Sequence, residues 1–283
     1  MKITVNHLSP EDSVLLKQAK MSMENLGWGI RSVNKIGMTV ETGINYVPEK
    51  VLVKVQKITE TVLLKIIKAN LLTIQKNQTF KKPSKSTYKS IVTSTGALSG
   101  FFGASTGFGT AIFASEVTLT TKFLMRTIMD IARSEGEDIY TLEGQMECLR
   151  VFALGGQASG DDDMEMSYYT TRIALNSTIN NISSAGLKMT LEGLIKSSSV
   201  IGSNAIGNLL SKIATRLSLL ISEKFLAQAL PVIGAVGGGG LNYIFIDHFQ
   251  NMASAHFTIR RLERKYGEAT VKLAYKEMDT SIN

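Results

Sequence analysis

Small residues recur every three or four positions along an uncharged segment of the chain, residues 96–115. This spacing places small side chains along one side of a helix, so that another backbone can approach closely. Such packing must offset the helix cost of glycine, about 1 kcal/mol per residue relative to alanine. A second row of small residues follows a four-residue spacing from Ser199 to Thr215. The predicted packing positions are Gly96, Gly100, Gly103, Gly107, Ser203, Gly207 and Ser211.

Turn signals are sparse elsewhere, because the 283 residues include only four prolines. The long runs between them favour helices over short strands. The predicted fold is therefore all-α, a multi-helix bundle with one or two very apolar helices. We expect Gly237 to Gly240 to interrupt the apolar stretch 225–246, and the lysine-rich segment Lys76 to Ser90 to be an exposed linker. Helices are predicted over Ser13–Met23, Val51–Ile74, Glu116–Glu135, Thr141–Leu154 and Leu241–Tyr266.

The net positive charge of the chain is matched by the charge of one segment. The formal net charge is +7, and residues 61–115 contain seven lysines and no acidic residue. A basic excess placed in this way favours an anionic partner surface for that segment. Lipid headgroups fit better than nucleic acid, because Phe80 and Tyr88 are the only aromatic residues from Lys76 to Ser90, too few for base stacking.

The predicted helix Val51–Ile74 has a basic face beside an apolar one. This pattern is typical of a helix that lies in the membrane interface, where each lysine near an anionic leaflet contributes about 1 kcal/mol. A core helix with solvated lysines on its outer face gives the same pattern, and the two interpretations stay open. The residues expected to face the membrane are Lys54, Lys57, Lys65, Lys68, Lys81, Lys82 and Lys85. The lysine-rich linker marks a division into an N-terminal helical region, 1–90, which includes the basic amphipathic helix, and a helical domain, 91–283.

Two apolar segments approach the length that a membrane span requires, about 20 residues. The first, 96–115, has few leucines or isoleucines to favour insertion, and the second, 225–246, contains Pro231. Burial in a helical bundle is the favoured interpretation, and a membrane hairpin of the two segments is the alternative.

Residues suited to catalysis or metal binding are few. Cys148 is the single cysteine, only three histidines occur, and the glycine-rich segments lack the lysine of a phosphate-binding loop. Neither a metal nor a cofactor is expected. Charges within apolar helices predict a buried ion-pair network, and a hidden active site would lie among them. The weak catalytic candidates are Glu116, Asp130, His248 and His256, with Arg126, Arg133, Arg150, Tyr168, Tyr169 and Arg172 as neighbours to inspect.

An ordered series of motifs resembles the EcsC family from about Thr95 to Gly267. The motifs are TGALSGFFGASTGFGT, DIARSEGED, CLRVFALGG, SYYTTR and LPVIGAVGGGGLNYIFIDHF. The resemblance implies a helical protein that some bacteria encode beside the subunits of an ABC transporter, with no established activity. It supplies no catalytic residues.

These observations favour a non-enzymatic accessory protein at the cytoplasmic face of a membrane, linked to a transport or secretion system. The expected partners are an anionic membrane surface and a membrane protein such as a transporter subunit. The alternative is a hydrolase-type enzyme whose site lies among buried charges, and the third hypothesis is an integral membrane protein. The sequence leaves the oligomeric state open.

Overall fold

The structure is a computed structural model, and it describes 8–24, 63–74 without 64 and 68, 83–103, 109–154, 168, 169, 172, 176 and 234–278. Within these ranges every regular element is helical and there is no strand, so the predicted all-α fold is confirmed. The helices are α1 (Pro10–Glu24), α2 (Lys85–Gly103), α3 (Gly109–Ser134), α4 (Leu142–Arg150), α5 (Gly234–Tyr266) and α6 (Glu268–Glu277). A 3₁₀ turn, Val151–Ala153, follows α4, and helical residues also occur between 63 and 73.

Local sequence signals account for several helix ends. At the start of α1, the Ser9 side chain accepts a hydrogen bond from the backbone N–H of Asp12, at 3.2 Å. At the start of α4, Thr141 accepts one from Gly144 at 3.1 Å. Each contact satisfies an N–H group that a helix start leaves free. Gly136 follows α3 with a φ of 81°, a conformation that favours glycine.

Helices α2 and α5 form the most extensive helix pair among the described elements, and they run antiparallel. Near the start of α2, the carbonyl of Lys85 accepts a hydrogen bond from the Gln250 side chain at 3.0 Å. Further along α2, the carbonyl of Val92 accepts one from the Asn242 side chain at 2.9 Å. Continued in the same register, the glycine-rich end of α2 runs toward the glycine-rich start of α5.

This pairing explains where the expected boundaries were wrong. Gly237 to Gly240 do not interrupt the helix, because α5 begins at Gly234 and continues through them. Part of the expected linker is helical, because α2 begins at Lys85. Packing between two long helices compensates for the low helix propensity of the glycines.

The described residues of the segment 96–115 belong to two helices, because α2 ends at Gly103 and α3 begins at Gly109. Gly96, Gly100 and Gly103 therefore share α2, and Ala111 lies on α3. The remaining predicted packing positions lie outside the described residues: Gly107, Ser203, Gly207 and Ser211.

Two clusters of buried apolar residues hold the helices together. The larger cluster joins α2, α3, α4 and α5, and it includes Leu63, Ile66 and Ile67 from the helical residues that precede α2. The smaller cluster packs α1 and α6 against the second half of α5. The two ends of the described chain therefore meet on α5, where Lys265 and Tyr266 both donate to the Asp12 carboxylate at 2.7 Å.

We predict that Gly240→Ala stabilises the protein by about 0.5–1 kcal/mol, because alanine is the better helix former. The new Cβ would meet nothing within 4 Å, so the gain is not opposed by a clash. Gly144→Ala is the contrasting variant, because its Cβ would collide with the backbone carbonyl of Asp138. Urea unfolding measures both changes. Equal effects of the two substitutions would contradict the prediction.

Candidate functional site

Three buried side chains are joined by hydrogen bonds: Glu147 on α4, His256 on α5, and Tyr168. His256 Nε2 lies 2.9 Å from Glu147 Oε2, and His256 Nδ1 lies 3.0 Å from the Tyr168 hydroxyl. A carboxylate can only accept, so Nε2 carries the imidazole proton and Nδ1 accepts from tyrosine. Burial lowers the pKa of His256 to about 4 and outweighs the opposing effect of Glu147, so the imidazole is neutral at pH 7.

Two arginines compensate the charge of Glu147. Its carboxylate lies 3.2 Å from Arg150 and 3.3 Å from Arg260. Burial by itself would raise the pKa of Glu147, but Arg150, His256 and Arg260 outweigh burial and hold this pKa well below its ordinary value. Glu147 is therefore a buried carboxylate that stays ionised.

This hydrogen-bonded series continues on both sides through further ion pairs. Arg172 contacts Glu263 at 2.5 Å and lies 3.5 Å from the Tyr168 hydroxyl. Arg260 donates two hydrogen bonds to Glu137, at 2.7 and 3.1 Å. We call this set the ionic cluster, and its members are Glu137, Glu147, Glu263, Arg150, Arg172, Arg260, Tyr168 and His256.

The ionic cluster is electrically balanced, and its centre is closed to solvent. Three carboxylates face three guanidinium groups, and the central His256 is 0% exposed. Tyr168 is 3% exposed, so neither group of the imidazole–phenol pair presents a surface to a substrate. The carboxylate, imidazole and hydroxyl groups follow one another in the order of a catalytic triad. Unlike the hydroxyl of such a triad, however, the Tyr168 hydroxyl is not exposed to a substrate. The contacts of the ionic cluster join α4 and Tyr168 to α5.

The weak catalytic candidates are not assembled into one site. Asp130 is buried and accepts a hydrogen bond from the Tyr88 hydroxyl at 2.6 Å. His248 is buried, and burial lowers its pKa to about 4. Among the described residues, no hydrogen bond or ion pair joins Asp130 to His248 or His256. Glu116 lies on α3, and its side chain is outside what the structure describes.

Several of the neighbouring residues named from the sequence do lie together. Arg150, Tyr168 and Arg172 belong to the ionic cluster, and the Tyr169 hydroxyl lies 3.3 Å from Glu263. The sequence analysis did not identify the carboxylates of the ionic cluster, although Glu147 and Arg150 have the three-residue spacing of a helical ion pair. The other missed pairs join residues at least 90 positions apart, and no local pattern indicates them. Cys148 is buried, and burial raises the pKa of its thiol.

Two of the seven lysines predicted to face a membrane are described. Lys65 is exposed, as predicted for an outer face. Lys85 is half-buried, and its amine donates to the Ser254 hydroxyl at 2.6 Å, so it is not free for headgroups. The other five lie outside the described residues: Lys54, Lys57, Lys68, Lys81 and Lys82.

The described helices bear on the alternative of a membrane hairpin. Among the described residues, no helix is both long enough and apolar enough to cross a bilayer.

The described residues form an all-α fold that contains a buried network of charges. The EcsC protein family model matches residues 17–262, which is most of the chain, so the chain belongs to the EcsC family. The match begins within α1, well upstream of the motifs that suggested the resemblance. No curated protein and no solved structure is significantly similar to the chain.

We predict that Glu147→Gln destabilises the protein by about 3–5 kcal/mol, because it leaves Arg150 and Arg260 buried without their shared counter-charge. Glu143→Gln is the matched control. Glu143 also pairs with Arg260, at 2.8 Å, but its side chain is 68% exposed. An exposed pair contributes at most about 1 kcal/mol. Urea unfolding of both variants checks this, and equal losses would contradict a role for burial.

We also predict that stability falls as the pH is lowered from 6.5 toward 4. His248 and His256 each have a folded-state pKa of about 4, below the ordinary value of 6.5. In this window the unfolded chain binds more protons, so stability decreases by about 1.4 kcal/mol per pH unit for each histidine. Urea unfolding at several pH values gives the slope. His248→Gln should reduce the slope, and an unchanged slope would contradict the assignment.

Proposed function

We propose that this EcsC-family protein is a peripheral accessory protein that docks on an anionic membrane surface at the cytoplasmic face. The observation that supports the proposal is the outer face of the helical segment at 63–73, where a lysine and a leucine are both exposed. Lys65 is exposed, and Leu72 is 79% exposed. Seven residues separate them, about two helical turns, so they lie on the same face.

The inner face of this segment is already occupied. Leu63, Ile66 and Ile67 are buried in the larger apolar cluster. Here the helix is thus a core helix, and its inner apolar face is not available for insertion into lipid. Contact with a membrane would instead use the outer face, which combines charge with an isolated apolar side chain.

A neighbouring helix continues the same kind of surface. On α3, Leu119 is 44% exposed and Lys122 is exposed. The Asn70 side chain donates to the carbonyl of Lys122 at 3.2 Å, and Arg126 donates to Thr73 at 2.7 Å, so this part of α3 lies beside the 63–73 segment. We call Lys65, Leu72, Leu119 and Lys122 the outer patch.

The physical chemistry of the outer patch favours reversible binding. A lysine near an anionic leaflet contributes about 1 kcal/mol, and full burial of a leucine about 1.5–3 kcal/mol. Two of each give a modest affinity that salt would weaken. Other lysines of the acid-free segment 61–115 would add to the attraction where they are free to reach the surface. A membrane protein such as a transporter subunit is the partner we propose at that surface.

We predict that the full chain co-floats with vesicles containing phosphatidylglycerol at low salt and not with vesicles of phosphatidylcholine alone. Lys65→Glu and Lys122→Glu should each reduce binding roughly fivefold or more, because each removes about 1 kcal/mol of attraction. Leu72→Ser should weaken binding without destabilising the fold, since the side chain is already in water.

Two matched variants control this experiment. Lys17→Glu makes the same change of charge at an exposed position of α1, and Leu273→Ser the same change of polarity at a leucine of α6 that is 45% exposed. Both should bind like the unmodified protein. The proposal fails if the unmodified chain does not float with anionic vesicles, or if the controls lose as much binding as the outer-patch variants.

A further inference from the structure

Lys85 and Ser254 face each other across the α2–α5 interface. The Lys85 amine lies 2.6 Å from the Ser254 hydroxyl oxygen, and both side chains are only partly buried. A serine within hydrogen-bond distance of a basic amine is the arrangement from which serine–lysine hydrolases take their nucleophile and general base. We propose that Ser254 is a nucleophile toward carboxylic esters, with Lys85 as its general base.

The helix pairing holds the two groups in place. The Gln250 side chain donates to the carbonyl of Lys85 at 3.0 Å and lies 3.2 Å from the Thr127 hydroxyl. The Ser254 hydroxyl, one turn further along α5, donates to the carbonyl of Gln250 at 2.7 Å. Both partners are thus positioned by helix backbones, and rotation of the serine hydroxyl would direct its proton to the lysine.

The surroundings of Lys85 favour the neutral amine that a general base requires. Burial lowers the pKa of Lys85, and so does the positive charge of Lys89 one turn along α2. Asp247 on α5 and Glu135 after α3 oppose this effect, and the net direction is downward. Lys89 is itself bound to Asp247 at 2.5 Å, which holds its ammonium on the α5 side of α2.

The reaction follows from these positions. Neutral Lys85 removes the Ser254 hydroxyl proton while the serine oxygen attacks the ester carbonyl carbon, which gives a tetrahedral oxyanion. The Lys85 ammonium formed in this step stabilises its charge. Collapse of this adduct breaks the bond to the alcohol oxygen, which leaves with the proton from Lys85. Water then attacks the acyl-serine with Lys85 as base, releasing the carboxylic acid and restoring Ser254.

Access distinguishes this pair from the ionic cluster. His256 and Tyr168 are buried, so the imidazole there has no route to a substrate. Lys85 and Ser254 are both partly exposed at the end of α2 where that helix begins. The site is also independent of the outer patch, so its test does not depend on membrane binding.

The test is covalent labelling of the folded chain with a fluorophosphonate probe, with the modified residue identified by mass spectrometry. We expect labelling at Ser254, faster at higher pH as Lys85 loses its proton. Ser254→Ala should remove the label. Lys85→Arg keeps a positive donor beside Ser254 but provides no base, so labelling should fall about 100-fold or more while the unfolding midpoint changes little.

Ser90→Ala is the matched control. Ser90 lies on α2, is exposed and donates to the carbonyl one turn earlier, at 3.1 Å, as Ser254 does on α5. This variant should label like the unmodified chain. The proposal is overturned if Ser254 labels no faster than Ser90, or if Lys85→Arg labels at the original rate. Either result would show that the Lys85–Ser254 contact only ties two helices together.

Discussion

The buried carboxylate of Glu147 is the interaction on which the described core depends. It receives a proton donor from His256 and two guanidinium groups from Arg150 and Arg260, so it bridges α4 and α5. Removing an ion from water costs several kcal/mol, which only a complete set of partners repays. Loss of one partner of Glu147 would therefore leave a buried charge incompletely compensated. The position of α4 depends on these ion pairs as well as on apolar contacts.

The ionic cluster also limits where chemistry can occur in this protein. A buried network gains its strength from the same exclusion of water that closes it to a substrate. Functional contacts must be sought where polar groups are both positioned and reachable. We propose the outer patch as such a place for a membrane surface, and Lys85 with Ser254 as such a place for a small ester. In both cases the residues lie on α3 or α5, or on a helix that packs against one of these two.

The helical fold could be predicted because its signals are local. Sparse proline, the acidic residues after Pro10 and the glycine after α3 all act within one or two turns. Errors arose where packing outweighs propensity: the α2–α5 pair carries a helix through Gly237 to Gly240 and extends one back to Lys85. The sequence analysis predicted a buried ion-pair network, since charges in apolar segments imply partners, but it did not name the carboxylates of the ionic cluster. Which partners they find depends on contacts between distant parts of the chain.

Amphipathic character alone could not assign the two faces of the 63–73 segment. A pattern of lysines beside isoleucines is the same whether the apolar side meets protein or lipid. The structure resolves this for Leu63, Ile66 and Ile67, which meet protein. The informative residue is then Leu72, because an apolar side chain on the basic face contributes nothing to the core. Leu72 is 79% exposed and lies on the same face as the exposed Lys65, and our proposal assigns both side chains to an anionic interface.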